Sequence, residues 1–154
     1  LDEPNGLTDS LFVAEINFQS PSLGLASIDT ETMELSPIGP FSENPANAIE
    51  MTGSSDSALY GYFLSDSGGW VVEIDKDTAE ILESTFVPVG QSGALAFAFW
   101  GGEGGDFFIF TSPGDANTTV TRYRPSDGSV TPLITLSRTV VGAGVSTCDP
   151  RAFE

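Results

Sequence analysis

The sequence contains no histidine, a single cysteine and few basic residues. Without imidazole, the chain has no histidine base for catalysis and no histidine ligand for a metal. One cysteine, Cys148, cannot form a disulfide bond within the chain. Only 5 Lys and Arg stand against 22 Asp and Glu, which gives a net charge of −17. A nucleic-acid interface needs clustered basic side chains, so nucleic acid is excluded as a partner.

Long apolar runs are also missing. The longest, residues 93–100, is far shorter than the roughly 18 residues that a bilayer span requires, so we expect no membrane span. The acidity suits a secreted or high-salt environment, because dissolved ions screen repulsion between the acids. An apolar fraction of 40% over 154 residues still allows a folded core. We therefore expect one domain over residues 1–154.

The chain repeats itself at intervals of just under 50 residues. Segment 74–81 aligns without gaps to segment 28–35, 46 residues earlier, and segment 123–130 follows 49 residues later. Each copy has an apolar strand end, a polar turn and an apolar return, and the aspartate that begins the first two turns can accept from backbone amides. Short β-branched and aromatic runs between Gly, Pro, Ser and Asn clusters indicate strands and turns. The sequence predicts an all-β fold of three repeats of about 47 residues, approximately 11–52, 53–100 and 101–148.

Each repeat is predicted to be a four-stranded antiparallel meander. Short loops join the predicted strands of the central repeat, and short loops require antiparallel neighbours. The first repeat opens on a strand at 11–18 without the strand that precedes it in the others, and segment 141–148 is expected to supply that strand. The central strands are predicted at 59–64, 70–74, 80–86 and 95–100.

Four-stranded meanders at this spacing are typical of β-propeller blades. The second repeat, with Leu-Tyr-Gly at 59–61 and Trp-Val-Val-Glu-Ile-Asp-Lys-Asp-Thr at 70–78, resembles the blades of secreted bacterial YVTN-type propellers. The whole chain also resembles the mature domain of bacterial cell-surface lipoproteins, particularly at 96–102 and 141–148. The resemblance implies a β-propeller-like fold at a bacterial surface or outside the cell, but no particular activity. Because propellers have four to eight blades, a β-trefoil is the alternative fold.

Three classes of function are compatible with these features. The first is a non-catalytic extracellular or cell-surface binding module whose partner is a protein or a glycan. The second is a self-assembling structural subunit, either a dimer that closes a six-bladed ring or a filament, so a homo-oligomer is expected. The third, a hydrolase or lyase that uses carboxylates, is favoured least, because no paired-acid motif is present. We therefore expect no enzyme activity.

Four aromatic residues are candidate ligand contacts: Tyr60, Tyr62, Trp70 and Trp100. Alternation along a strand places Tyr60 and Tyr62 on one face. Both faces of that strand are apolar, as in a strand packed between two blades, so packing is the alternative role. Trp100 is the favoured candidate because it ends a strand beside a glycine-rich loop.

The acidic turns form a candidate calcium site. The three repeated turns are predicted to share one end of the fold, which brings Asp29 and Glu31 near Asp75 and Asp77. Calcium takes several carboxylate and carbonyl oxygens, so these four acids are the predicted ligands. The alternative is that they cap their own turns and solvate the surface. No EF-hand loop is present in the sequence, and no other cofactor is expected.

Overall fold

The short apolar runs form strands, and the Gly, Asp and Ser clusters between them form turns. The computed structural model describes residues 10–15, 23–42, 48–54, 57–65, 67–89, 93–101, 104–113 and 117–144. Within these ranges, eleven strands form three antiparallel sheets, so the predicted all-β class is confirmed. The strands are β1 (Leu11–Ala14), β2 (Leu25–Ile28), β3 (Leu35–Gly39), β4 (Ile49–Gly53), β5 (Leu59–Ser65), β6 (Gly68–Ile74), β7 (Ile81–Val87), β8 (Ala94–Trp100), β9 (Asp106–Thr111), β10 (Thr118–Arg124) and β11 (Ser129–Leu136).

Each sheet is a meander whose strands follow chain order. The first sheet has the order β1-β2-β3, the second β4-β5-β6-β7 and the third β8-β9-β10-β11. The sheets lie face to face in that sequence, and within the described residues they do not close into a ring. No helix in the described ranges is long and apolar enough to cross a membrane.

The second sheet begins and ends one strand earlier than the sequence predicted for the central repeat. Strand β8 pairs with β9, so it opens the third sheet, and β4 takes the first place in the second. The pairing sets Phe99 opposite Phe107 and Phe97 opposite Ile109, and such cross-strand apolar pairs stabilise a sheet. Of the predicted closing strand, residues 141–144 form no strand, and 145–148 lie outside the described residues.

The predicted turns of the first two repeats are confirmed in detail. Asp29 Oδ1 accepts from the amides two and three residues on, at 2.8 and 2.9 Å. Asp75 Oδ1 does the same, at 2.9 Å for both amides. In the third turn it is Asp127 Oδ1 that accepts, from the amide of Ser129 at 2.9 Å. The repeated sequence therefore produces a repeated turn in the first two copies and a variant in the third.

Strand β5 lies at the centre of the packing, with one face toward each neighbouring sheet. Tyr60, Tyr62 and Leu64 pack toward the third sheet, whereas Leu59 and Phe63 pack toward the first. This alternation was predicted from the sequence and is confirmed. The core therefore consists of two apolar layers. The layer toward the first sheet includes Leu25, Phe41, Ile49, Val72, Ile74 and Ala79, and the layer toward the third includes Val71, Val87, Phe97, Phe107, Ile109 and Tyr123.

The prediction that all three turns share one end of the fold is wrong for the first sheet. Ser42 Oγ accepts from the amide of Ile81 at 2.9 Å, and Gly39 lies beside the Thr78 carbonyl. Gly39 ends β3, and the turn that precedes β3 lies about 13 Å away along the strand. The first sheet therefore places its far end, not its acidic turn, against the turn of the second sheet. Phe41 explains this packing, because its ring meets Phe63 edge-on at 5.3 Å.

Candidate functional site

A cleft of about 320 Å³ lies between the second and third sheets. It is lined by residues of β5, β6 and β7 on one side, and of β8, β9 and β10 on the other. The loop before β9 and the turn after β10 border it. The lining residues are Tyr60, Val71, Val72, Glu73, Glu83, Thr85, Phe99, Gly104, Gly105, Phe107, Tyr123 and Pro125.

Four aromatic rings line the inner part of this cleft. The Tyr60 ring meets Phe107 edge-on at 4.9 Å and lies 5.2 Å from Phe99. Phe107 also lies 4.8 Å from Phe99 and stacks on Tyr123 at 6.0 Å. Three of the rings are buried, and Tyr60 is the partly exposed one. The aromatic surface available in the cleft is therefore centred on Tyr60.

Two glutamates form one side of the cleft. Glu73 on β6 and Glu83 on β7 are direct cross-strand partners. Like charges in this position repel each other. Neither carboxylate has an ion-pair partner in the part of the chain that the structure describes. None of the described residues that line the cleft is Lys or Arg, so this lining carries unbalanced negative charge.

An ion pair holds the strands at the mouth of the cleft. Arg124 Nε donates to Asp106 Oδ1 at 2.9 Å, and its second nitrogen, Nη2, donates to Oδ2 at 3.1 Å. The hydrogen bond and the negative charge of Asp106 raise the pKa of the Arg124 guanidinium. This two-point contact ties β9 to β10 beside Gly105 and Pro125.

Only Tyr60 of the four predicted ligand residues lies in the cleft. Tyr62, two residues after Tyr60 on β5, is fully buried, and burial raises the pKa of its hydroxyl. A side chain at position 69 would overlap the Tyr62 ring, which explains Gly69. Trp70 lies on the face toward the first sheet and meets Phe86 at 5.3 Å. Tyr62 and Trp70 therefore pack between sheets, the alternative role considered from the sequence.

Trp100, the favoured candidate, lies on the outer face of the third sheet. It pairs with Asp106 at the end of β8 and is 48% exposed. Its neighbour Phe99 faces the cleft, and successive residues of a strand point to opposite faces. Trp100 is thus available for contact, but on a different surface from Tyr60.

Sequence reasoning missed the two glutamates and the aromatic residues of the third sheet. The pattern does place Glu73 on the same face as Val71, so its direction could have been inferred. Its pairing with Glu83 could not, because a bulge between Glu73 and Ile74 shifts the register. Phe99, Phe107 and Tyr123 are brought to the cleft by the regrouping of β8 into the third sheet.

The four predicted calcium ligands are not brought together. Asp29 is exposed and Asp75 is half-buried, and each is held in its own turn. Hydrogen bonds from the amides of Thr32 and Glu31 lower the pKa of the Asp29 carboxyl. Hydrogen bonds from the Thr78 hydroxyl, and then from the amides of Asp77 and Thr78, lower the pKa of the Asp75 carboxyl. No group of three or more acidic, cysteine or histidine side chains that could hold a metal occurs among the described residues. The predicted site at Asp29, Glu31, Asp75 and Asp77 thus has no support in this geometry.

One further carboxylate has a perturbed environment. Glu50 on β4 pairs across the strands with Tyr62 and is half-buried. Removal from water raises the pKa of the Glu50 carboxyl. It lies outside the lining of the cleft.

Comparison of the chain with models of known protein families and with curated proteins finds no match to either.

Proposed function

We propose that this protein is a non-catalytic binding module that uses the cleft between its second and third sheets. The observation that carries the proposal is the combination of Tyr60, Glu73 and Glu83 around a space of about 320 Å³. Binding sites are concave and largely apolar, with a few polar groups that orient the ligand. The cleft is concave and combines apolar lining from Tyr60, Phe99 and Phe107 with polar groups from Glu73 and Glu83. A protein or a glycan remains the expected partner.

The fold and the location of the protein belong to the same proposal. The meander sheets in chain order support a propeller-like arrangement, and contact between β4 and β8, the first strands of their sheets, is compatible with it. The resemblance of the second repeat to propeller blades and the acidity of the chain support a bacterial secreted or cell-surface protein. Absence of histidine and of a paired-acid motif supports binding over hydrolysis.

Filling the cleft tests the proposal. Thr85 lies half-buried in the cleft wall, whereas Ser84 next to it is exposed on the opposite face of β7. We expect wild-type protein to bind defined members of a peptide array or a glycan array. Thr85→Trp should abolish this binding, because the indole occupies the cleft. Ser84→Trp is the matched control and should keep it.

Two results would contradict the proposal. One is a wild-type protein that binds nothing on either array. The other is equal binding by Thr85→Trp and the wild type, with both shown to be folded by circular dichroism. The second result would move the binding surface away from the cleft.

Self-assembly is a second candidate, favoured by two exposed apolar surfaces. On the first sheet, the face away from the second sheet carries an apolar set that we call the N-terminal face. On the third sheet, the face away from the cleft carries another, the C-terminal face. The N-terminal face comprises Leu11, Val13, Ala26, Ile28, Leu35 and Pro37, and the C-terminal face comprises Trp100, Phe108, Phe110 and Ile134.

The occupant that we propose for each face is the other face of a second copy. Arg122 and Arg124 flank the C-terminal face and outnumber their shared partner Asp106. The sequence has no basic residue before Lys76, and the turn between β2 and β3 of the first sheet carries Asp29, Glu31 and Glu34. The two faces are therefore complementary in charge as well as apolar.

A further inference from the structure

We infer that the cleft binds a primary ammonium or guanidinium group carried on an aliphatic stem, that is, the side chain of a lysine or an arginine in a partner. This inference rests on the proposed function and names the class of ligand. Two independent features carry it. One is the pair of unbalanced glutamates, and the other is the partly exposed aromatic surface of Tyr60 within the same cleft.

The charge of the cleft selects a cation. Glu73 and Glu83 lie side by side on adjacent strands, and the described part of the cleft lining contains no Lys or Arg. A cation between the two carboxylates relieves their repulsion and gains a charge-assisted hydrogen bond to each. An anionic or neutral ligand does neither. The chain's net charge of −17 adds a long-range attraction for cationic partners.

The shape of the cleft selects a cation with a stem. The Tyr60 ring is the partly exposed aromatic surface of the cleft, and a bare metal ion at the glutamates would leave it in contact with water. The methylene groups of a lysine or arginine side chain can cover this surface while the charged end stays near the carboxylates. The partly exposed Tyr60 ring adds a cation–π contact where the charge lies over its face.

We expect the glutamate pair to weaken the free protein, and a pair kept at a cost in stability is consistent with a role in binding. Directly opposed like charges in a sheet are unfavourable, and a Gln at either position would remove the repulsion. If the pair served only stability, replacing either glutamate by Gln would lower the unfolding temperature. We therefore expect substitution to affect stability and cation binding in opposite directions. Glu73→Gln and Glu83→Gln should unfold at the same temperature as the wild type or higher, and both should bind cations less well.

Titration of the ¹⁵N-labelled protein with small probes, followed by NMR, tests the inference. The probes are blocked Gly-Lys-Gly, Gly-Arg-Gly, Gly-norleucine-Gly and Gly-Glu-Gly peptides, with n-butylammonium as a free cation. We expect the Lys and Arg peptides to shift the amides of Glu73, Glu83 and Phe107, with a Kd of about 1 mM. The norleucine and Glu peptides should not. Tighter binding of the peptides than of n-butylammonium would identify a protein partner as the source, and equal binding would identify a free amine.

The variants make the test specific. Each single Gln substitution should weaken binding by about threefold, and the double substitution by about tenfold. Glu34→Gln removes one exposed charge from the first sheet and should leave the Kd unchanged.

Equal binding of the norleucine and Lys peptides would overturn the inference, as would an unchanged Kd in the double variant. A glycan that occupies the cleft while all cations fail would overturn the ligand class but leave the binding function standing. Failure of every probe together with blank arrays would overturn both.

Discussion

At the scale of single residues, the three repeated turns share an unusual backbone conformation. Met33, Ala79 and Gly128 have φ angles of 59°, 62° and 69°, at equivalent positions of the three copies. The left-handed region is unfavourable for a residue with a Cβ atom, by about 1–2 kcal/mol. Only the third copy has glycine at this position, which avoids the cost because glycine has no Cβ atom. The turn is therefore fixed by its hydrogen bonds and accepts strain in two of its three copies.

Exchanging residue types at this position should change stability in opposite directions. Met33 is 73% exposed, and Gly128 has open space where a Cβ would lie, so neither change affects packing. We expect Met33→Gly to raise the free energy of unfolding by about 0.5 kcal/mol, because relief of strain exceeds the added entropy of the unfolded chain. Gly128→Ala should lower it by about 0.5–1 kcal/mol. Urea denaturation measures both, and changes of the same sign would contradict the explanation.

At the scale of elements, strand β4 joins two sheets. It pairs with β5 in its own sheet, and Thr52 Oγ1 accepts from the amide of Phe99 on β8 at 3.3 Å. Glu50 lies on this strand with a raised carboxyl pKa caused by loss of hydration. A group with a raised folded pKa contributes most to stability below its unfolded pKa, and the contribution is lost as the pH rises through the folded pKa. The charge on Glu50 therefore weakens β4 at neutral pH.

Glu50→Gln should accordingly stabilise the protein at neutral pH. We expect a rise in Tm of about 2 °C at pH 7, which shrinks as the pH falls toward 4 and the wild-type carboxyl becomes protonated. Thermal unfolding of both proteins between pH 4 and 8 measures this. Glu34→Gln, an exposed change of the same charge, controls for the general repulsion in this acidic chain. A Tm difference that is independent of pH, or equal to that of the control, would contradict the prediction.

The elements also show how much of the fold could be predicted from the sequence. Strands and turns were predictable because their signals are local. The alternation in β5 involves residues next to each other in sequence, and Asp75 bonds to amides only two and three residues further on. The sheet to which β8 belongs could not be predicted, because a strand with apolar residues on both faces can pair with the strand before it or with the strand after it. The cleft was missed for the same reason, since Glu83 and Phe99 meet Tyr60 only after long-range pairing. The first sheet's orientation depends on Phe41, which follows the strand it positions.

At the scale of the whole molecule, three sheets leave two outer faces. The face of the first sheet toward the second and both faces of the second are covered by packing. The N-terminal face and the C-terminal face are not covered by another sheet in the described structure. Exposed apolar surface of this kind marks interaction sites in folded proteins. Since the faces differ in charge, a contact between unlike faces is favoured over a contact between like ones.

Charge substitutions on the two faces test this contact. Leu35 and Ile134 are 56% and 55% exposed, so Leu35→Glu and Ile134→Glu should leave the fold intact. We expect the wild type to form dimers or longer assemblies in sedimentation velocity, because each copy offers both faces. Each variant alone should be monomeric, since a buried glutamate in the interface is unpaired.

Mixing the two variants gives the decisive result. Leu35→Glu keeps an intact C-terminal face, and Ile134→Glu keeps an intact N-terminal face, so one copy of each can still join through a single contact. We therefore expect the equimolar mixture to form dimers although neither component does. High salt should weaken these dimers, because part of the attraction is between Arg122 or Arg124 and the acidic turn of the first sheet. A like-to-like interface would predict the reverse, with no rescue on mixing. A wild type that stays monomeric at high concentration would remove self-assembly as a function of these faces and leave the binding cleft as the protein's interaction surface.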